Sequence, residues 1–303
     1  MPRTTAALLV AIAVILAAVC AVALRPASAA GPSRVDGRIE VVAAENFYGN
    51  IAAQIGGSHV RVVSLLSNPN ADPHLYEAGT VAALDVAQAA VVIQNGLDYD
   101  AFMPRLEAAA PDSRRIVVTV ASVLRVTGAG ANPHLWYDLP RAPAVAAAIA
   151  AALTRADPAH AAAYAAGLAR FDTSLAPLDH ALAELRAHHS GQAVAYTERV
   201  PGYLLAAAGL RVLTPTAFAR AVEEGTDPTP ESVSTLLSLL DRRAVRVLLY
   251  NDQTVSPVTE QVRSAAEAAG VPVVGVSETM PPALDYQRWQ LDQIRALEAA
   301  LDR

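Results

Sequence analysis

The sequence contains one cysteine and no lysine among its 303 residues. A single cysteine, Cys20, cannot form a disulfide within the chain, so packing must stabilise the folded part. Every basic side chain other than histidine is an arginine, and the net charge is -6 at pH 7. This balance argues against a nucleic-acid partner, which requires a basic surface. The HExxH motif of zinc proteases and the GxSxG motif of serine hydrolases are also absent from the sequence.

The amino terminus has the organisation typical of a secretory signal. Arg3 precedes a wholly apolar run, Ala6–Leu24, and Ala27-Ser28-Ala29 has the small residues of a cleavage site. The run is also long enough to cross a bilayer as an uncleaved anchor. Residues 1–30 are therefore predicted to be a signal peptide or an N-terminal anchor. In either case we predict that the Sec route exports the chain and that the mature domain acts in the periplasm or at the outer face of the cell membrane. Cys20 follows a bulky valine that fits a lipoprotein signal poorly.

From residue 38 onwards, short Val/Ile-rich segments alternate with alanine-rich segments. Nearly continuous apolar strands with helical crossovers indicate parallel sheets covered on both faces. We predict an N-terminal α/β lobe over residues 38–157 and a C-terminal α/β lobe over residues 191–303.

A different pattern separates the two lobes. Between residues 141 and 190 the strand-like valine runs disappear, and alanine, leucine and charged residues dominate. Asp157-Pro158 is typical of a helix start, so we predict a linking helix over residues 158–190 with a kink at Pro177. The predicted fold class is α/β, with two (β/α) lobes that contain parallel sheets and are joined by one long interlobe helix.

Polar residues that follow predicted strands are candidates for a ligand site, because open parallel sheets bind ligands at the carboxyl ends of their strands. His74 (in ADPHLYE) and His134 (in NPHLWYD) each follow a proline, which restricts the backbone. The candidate carboxylates are Glu198, Asp252 and Glu278. Imidazole with carboxylate suits zinc, manganese or iron(II). Each residue also fits an ordinary role, as a solvated loop histidine, a surface glutamate or a turn-forming acid.

The remaining histidines are predicted to be solvated. His160, His180, His188 and His189 lie on the predicted linking helix, where adjacent residues such as 188 and 189 do not share a face. His59 opens a predicted strand after two glycines.

The motifs DPHLYE, QNGLDYD, NPHLWYD, AYTERVPGYLLAAAGL, EEGTDPTPESV, LLYNDQT and VPVVGVSETMPP occur in this order. Together they resemble the metal-binding solute-binding proteins of zinc/manganese ABC transporters, the cluster A-I or zinc-uptake and adhesin-lipoprotein family, over residues 38–303. The resemblance implies two (β/α) lobes joined by one rigid helix and no enzymatic activity. It also implies a monomer that holds a metal ion in the interlobe cleft and delivers it to an ABC permease.

The resemblance also implies the ligands. His74, His134 and Glu198 match three of the family's ligand positions. The fourth is commonly an aspartate, but this chain has ETMPP in a shorter loop. Glu278 is the first choice for the fourth ligand and Asp252 the alternative, while Glu45 is a candidate for a supplementary carboxylate.

The identity of the ion stays open between zinc, manganese and iron. The histidine-rich loop of many zinc-specific relatives is absent, and two histidines with two carboxylates form a harder ligand set that favours manganese. Relatives with an ETMP-type ending are, however, often described as zinc transporters. A secreted metalloenzyme and a surface adhesin are the alternative functions.

Overall fold

The computed structural model describes residues 34–70 and 73–303. The predicted signal peptide or anchor, with Cys20, lies outside the described residues. Within the described part of the chain, no helix combines the length and apolar character needed to span a membrane.

The first lobe is built on a sheet whose strands are β1 (Arg34–Val35), β2 (Arg38–Glu45), β3 (Val60–Leu66), β4 (Val91–Gln94) and β5 (Ile116–Thr119). Four of them are parallel in the order β3-β2-β4-β5, and the short β1 pairs antiparallel with the start of β2. Residues 39–45 of β2 are all buried, because helices cover both faces of this central strand.

The second lobe contains a parallel sheet with the strands β6 (Ala193–Tyr196), β7 (Arg211–Val212), β8 (Leu248–Asn251) and β9 (Val273–Val276). Their order is β7-β6-β8-β9. All residues of β8 are buried, as expected for an inner strand. The predicted fold class, two α/β lobes with parallel sheets, is confirmed.

Helices cover the sheets and connect the strands. In the described residues these are α1 (Asn46–Gly56), α2 (Thr80–Gln88), α3 (Phe102–Ala109), α4 (Val120–Val123), α5 (Ala142–Ala156), α6 (Ala161–Ser174), α7 (Ala176–His189), α8 (Gly202–Ala207), α9 (Thr216–Glu223), α10 (Pro230–Asp241), α11 (Pro257–Ala269) and α12 (Tyr286–Leu301). Short 3-10 turns lie at Gly57–His59, Pro73–Leu75, Leu135–Tyr137, Leu139–Arg141 and Pro158–His160.

The segment between the two sheets is helical from Pro158 to His189, which confirms the predicted long helix. A 3-10 turn leads into α6, and α6 meets α7 at Leu175. Pro177 occupies the first turn of α7, where it has no N–H to bond the preceding turn. The helix is therefore interrupted two residues before the proline that causes the kink.

Aromatic rings from the segments around the strand ends pack against one another. Phe47 of α1 stacks on Trp136 with 4.5 Å between the ring centroids, and Trp289 of α12 lies 5.8 Å from Phe47. All three side chains are fully or almost fully buried. Because they come from segments far apart in sequence, their packing fixes the loops that follow the strands.

Candidate metal centre

The predicted ligands lie in loops just beyond the strands. His74 belongs to the 3-10 turn Pro73–Leu75 after β3, and His134 directly precedes the turn Leu135–Tyr137. Glu198 and Glu278 each lie two residues beyond the end of a strand, β6 and β9 respectively. These two strands flank β8, so the parallel sheet brings both carboxylates to one edge.

The four side chains His74, His134, Glu198 and Glu278, called the quartet below, come together in space. His74 Nε2 lies 3.1 Å from Glu198 Oε1 and 3.5 Å from Glu278 Oε2. His134 Nε2 lies 3.3 Å from Glu278 Oε2 and 4.0 Å from Glu198 Oε1. One candidate ligand atom from each side chain lies within 4.8 Å of the others. The quartet therefore has the dimensions of a site for a single ion.

The quartet is buried except on one side. The side chains of His134, Glu198 and Glu278 have no exposed surface, whereas 22% of the His74 side chain is exposed. A cavity of about 320 Å³ is lined by His74, Tyr99 and Pro133, among other residues. An ion can therefore enter from the side of His74.

Asn132 fixes the tautomer of His134. The Asn132 side-chain amide donates to the Arg199 carbonyl at 2.9 Å, which directs Asn132 Oδ1 to His134 Nδ1 at 2.6 Å. Because an amide oxygen cannot donate, the imidazole carries its proton on Nδ1 and a lone pair on Nε2.

His134 Nε2 is the atom that most clearly requires a partner. It is buried and has no hydrogen-bond partner among the described residues. Burial lowers the pKa of His134 to about 4, so the ring is neutral near pH 7. A buried acceptor without a partner is costly, and a neutral imidazole is the form that binds a metal ion.

Asn251 bridges the two carboxylates. Its Nδ2 donates to Glu198 Oε2 at 2.6 Å and to Glu278 Oε1 at 2.8 Å. Each carboxylate therefore has one oxygen held by Asn251 and the other beside the histidines. Asn251 thus orients both carboxylates, as residues that hydrogen-bond to metal ligands without contacting the ion commonly do.

Two further side chains hold Glu278 in place. The Tyr99 hydroxyl donates to Glu278 Oε2 at 3.0 Å. Burial and the charge of Glu278 raise the pKa of Tyr99 well above its usual value, so the hydroxyl stays protonated. Gln253 Oε1 accepts from the backbone N–H of Glu278 at 2.6 Å and of Thr279 at 2.9 Å. The loop after β9 is therefore fixed at its backbone as well.

Glu198 does not pair with the arginine that follows it. Arg199 forms an ion pair with Glu223 at 2.6 Å, and both side chains are largely buried. Glu198 itself is only 1% exposed, so the alternative interpretation of it as a surface glutamate is wrong.

Asp252 and Glu45 lie outside the quartet. Asp252 is exposed, and its carboxylate lies over Gly275 of the neighbouring strand. Glu45 is buried and interacts with Asp100, and burial together with the Asp100 charge raises the pKa of Glu45 well above its usual value. The structure thus brings Glu278, and neither of these two acids, to the histidines.

The predicted solvation of the other histidines is only partly correct. His180 and His188 are exposed, while His59 and His160 are half-buried and stack with 3.9 Å between ring centroids. His189 is only 5% exposed, so the prediction of a solvated side chain was wrong there. Its helix face packs against α12, a contact that helical periodicity alone does not reveal.

Sequence reasoning did not identify Asn132, Tyr99 or Gln253 as supporting residues. The sequence feature that could have indicated their role is their position inside the motifs NPHLWYD, QNGLDYD and LLYNDQT. Amides and tyrosines in loops are common, however, and their hydrogen-bond partners lie far away in sequence.

The fold and the quartet define a two-lobed α/β protein with a buried His/Glu site between its lobes. A family model described as zinc-uptake complex component A, periplasmic (ZnuA), matches residues 41–300. The chain belongs to this family. The family description names metal uptake, which confirms the predicted family and the prediction that the chain is not an enzyme.

Individual relatives agree with this assignment. The chain is 29% identical over 111 residues to the manganese-binding lipoprotein MntA of Bacillus subtilis (strain 168), a match that covers 35% of this chain and 36% of MntA. The chain thus spans about a third of the length of this curated relative.

Solved structures share the fold. The periplasmic zinc-binding protein TroA from Treponema pallidum superimposes with a TM-score of 0.74 at 21% identity, covering 88% of this chain and 100% of TroA. FpvC from Pseudomonas aeruginosa, solved in complex with Mn2+, superimposes with a TM-score of 0.71 at 20% identity, covering 88% and 98%. At these identities the likeness shows the fold alone.

Proposed function

We propose that this protein is an extracytoplasmic solute-binding protein that captures one divalent transition-metal ion with the quartet and delivers it to an ABC permease in the membrane. The observation that carries the proposal is His134 Nε2, a buried nitrogen that has no hydrogen-bond partner within the described part of the chain and lies 3.3 Å from a buried carboxylate. A cation bound there satisfies the imidazole and neutralises the carboxylates.

The proposed organisation follows the predicted boundaries. Residues 1–30 act as a signal peptide or anchor for Sec export, and the protein works as a monomer. Residues 38–157 form the first lobe, residues 158–190 the link and residues 191–303 the second lobe. The periplasmic description of the family and the positions of the strands support this organisation.

Between zinc and manganese, the hydrogen bonds of the quartet favour zinc. Asn251 holds one oxygen of each carboxylate, so each carboxylate offers one oxygen to an ion. Two imidazole nitrogens and two carboxylate oxygens give four ligands, the number that zinc prefers. Manganese prefers about six ligands. To supply that number, each carboxylate would have to bind the ion through both oxygens, which would break its hydrogen bond to Asn251. The single free oxygen of each carboxylate outweighs the preference for manganese inferred from ligand hardness.

Release begins at His74. It is the partly exposed member of the quartet and lies in a short 3-10 turn, whereas both carboxylates are buried and held by Asn251. Displacement of His74 opens the site without breaking the buried hydrogen-bond network. Docking to the permease is the event that displaces it.

Metal content measured by mass spectrometry on the purified protein, prepared without a histidine tag, tests this function. After dialysis against metal-free buffer, we expect one retained ion per chain. The His74→Ala/His134→Ala variant should retain none, while His180→Ala, a change at an exposed histidine, should leave the retained ion in place. Equal retention by the quartet variant and the wild type, or no retained ion after loading with zinc or manganese, would refute the assignment.

A further inference from the structure

A second group of metal-ligating side chains lies at the ends of helices α7 and α12. His188 and His189 are the last two residues of α7, and Glu298 lies in the last turn of α12. Candidate ligand atoms of these three residues lie within 4.8 Å of one another. Asp302 adds a carboxylate, with Oδ1 3.4 Å from His189 Nε2.

His189 is the buried member of this group. It is 5% exposed, and its Nε2 is buried without a hydrogen-bond partner among the described residues. Asp302 Oδ1 is 3.4 Å away but accepts no hydrogen bond from this atom. A buried ring nitrogen without a hydrogen bond in a polar cluster is an atom to which a cation can bind. His188 is exposed and Glu298 is half-buried, so both side chains can move to meet an ion.

The two helices run side by side in the same direction. Gln287 Nε2, near the start of α12, donates at 2.6 Å to Oγ of Ser174, which lies two residues before α7 begins; at the other end of both helices His189 approaches Asp302. Two helix carboxyl ends, each with a partial negative charge, therefore meet beside Glu298 and Asp302. This environment stabilises a cation.

The neighbour of His189 can provide the required tautomer. Gln192 Nε2 lies 3.1 Å from His189 Nδ1, and Gln192 Oε1 is buried with no hydrogen-bond partner in residues 34–70 and 73–303. Turning this amide by 180° lets Oε1 accept a proton from Nδ1, which leaves the lone pair of the imidazole on Nε2. A ligating histidine commonly donates its other N–H to an oxygen in this way.

We propose that His188, His189 and Glu298, with Asp302 in reach, form a second site for a borderline divalent ion such as Zn2+. Two imidazoles with one or two carboxylates are suitable zinc ligands. Zinc bonds of about 2.0–2.1 Å place ligand atoms about 3.4 Å apart, so the exposed side chains must move inwards. The second site therefore binds more weakly than the quartet, and a bound ion ties the end of α7 to the end of α12.

The second site is separate from the quartet. His189 lies just before β6 begins at Ala193, whereas Glu198 follows the end of the same strand. The two sites therefore lie at opposite edges of the second sheet. An ion at the second site does not share ligands with an ion in the quartet.

Calorimetric titration with Zn2+ alone tests the proposal on purified, untagged protein that has first been loaded with zinc and dialysed. The wild type should bind one further equivalent. His188→Gln/Glu298→Gln should bind that equivalent at least about tenfold more weakly. The matched control is His180→Gln/Glu184→Gln, which alters an exposed His/Glu pair at 3.0 Å on the same helix and should match the wild type.

Ring nitrogen shifts from NMR distinguish ligation from a change in folding. The further equivalent of Zn2+ should shift the nitrogens of His188 and His189 and leave those of His180 unchanged. The proposal is overturned if the wild type binds no further equivalent, if both double variants bind alike, or if no shift occurs at His189. These differences are measured between variants, so they can be interpreted even if the quartet fails to retain zinc.

Discussion

Asn251→Ala is the substitution that most directly tests how the carboxylates of the quartet are arranged. The Asn251 amide donates to Glu198 Oε2 at 2.6 Å and to Glu278 Oε1 at 2.8 Å, and all three residues are buried. Removing it leaves two neighbouring carboxylates without their shared donor. Their free oxygens can then turn towards the ion.

The expected loss of zinc affinity follows from this geometry. Residues that hydrogen-bond to a metal ligand without contacting the ion raise the metal affinity by about 10–100-fold, which corresponds to about 1.4–2.8 kcal/mol. Asn251 holds both carboxylates, so we expect a loss near the upper end for zinc. Manganese affinity should fall less, because the freed oxygens provide the additional ligands that manganese prefers.

Competition against a chelating indicator, carried out separately for zinc and manganese at pH 7.5, measures both effects. Thr254→Val is the matched control, since Thr254 Oγ1 is a third acceptor of Asn251 Nδ2 at 3.0 Å but belongs to no carboxylate. Equal losses for both metals in Asn251→Ala would refute the argument for one-oxygen coordination. An unchanged zinc affinity would refute the supporting role of Asn251 altogether.

Three further predictions concern ligand choice, pH and packing. Glu278→Gln should weaken zinc binding in the same indicator assay by at least about 100-fold, whereas Asp252→Asn should stay within about twofold of the wild type; the reverse order would make Asp252 the fourth ligand. Burial lowers the pKa of His134 in the folded protein to about 4, against an ordinary value of 6.5. The contribution of this residue to the free energy of unfolding is therefore complete above pH 6.5 and is lost as the pH falls towards 4, a change of about 3 kcal/mol. Urea unfolding of the metal-free protein should show this loss, and His134→Gln should remove that part of the pH dependence; identical pH profiles would contradict it. Gly167→Ala should lower the free energy of unfolding by about 1–3 kcal/mol, because the new Cβ would overlap the backbone carbonyl of Ile55; an unchanged urea midpoint would show that α6 can shift.

Much of the fold could be predicted because its signals are local. The strand-like pattern predicted from residue 38 onwards begins at that residue with β2, and the kink predicted at Pro177 lies two residues away, at Leu175. Apolar runs, helix starts and prolines act on the chain within a few residues, so the sequence displays them directly. The interruption at Leu175 differs by two residues because a proline acts on the turn that precedes it.

Part of the candidate site could be predicted for the same reason. His74 and His134 follow prolines at loop positions, and Glu198 and Glu278 follow strands, so each lies where a parallel sheet presents ligands. The choice between Glu278 and Asp252 could not be made in this way. It depends on the register between β8 and β9: Asn251 pairs with Val276, so Glu278 lies one residue further along than Asp252. Side chains one residue apart in register point to opposite faces of a sheet.

The sequence by itself therefore determined the α/β class, the family and the loops that carry the candidate ligands, since these follow from short-range pattern and motif order. The tertiary structure alone decided the partners of those ligands. Asn132 sets the His134 tautomer, Asn251 links two carboxylates, and α12 buries His189. Each is a contact between side chains brought together by packing, and the direction of a side chain in a packed core depends on all the elements around it.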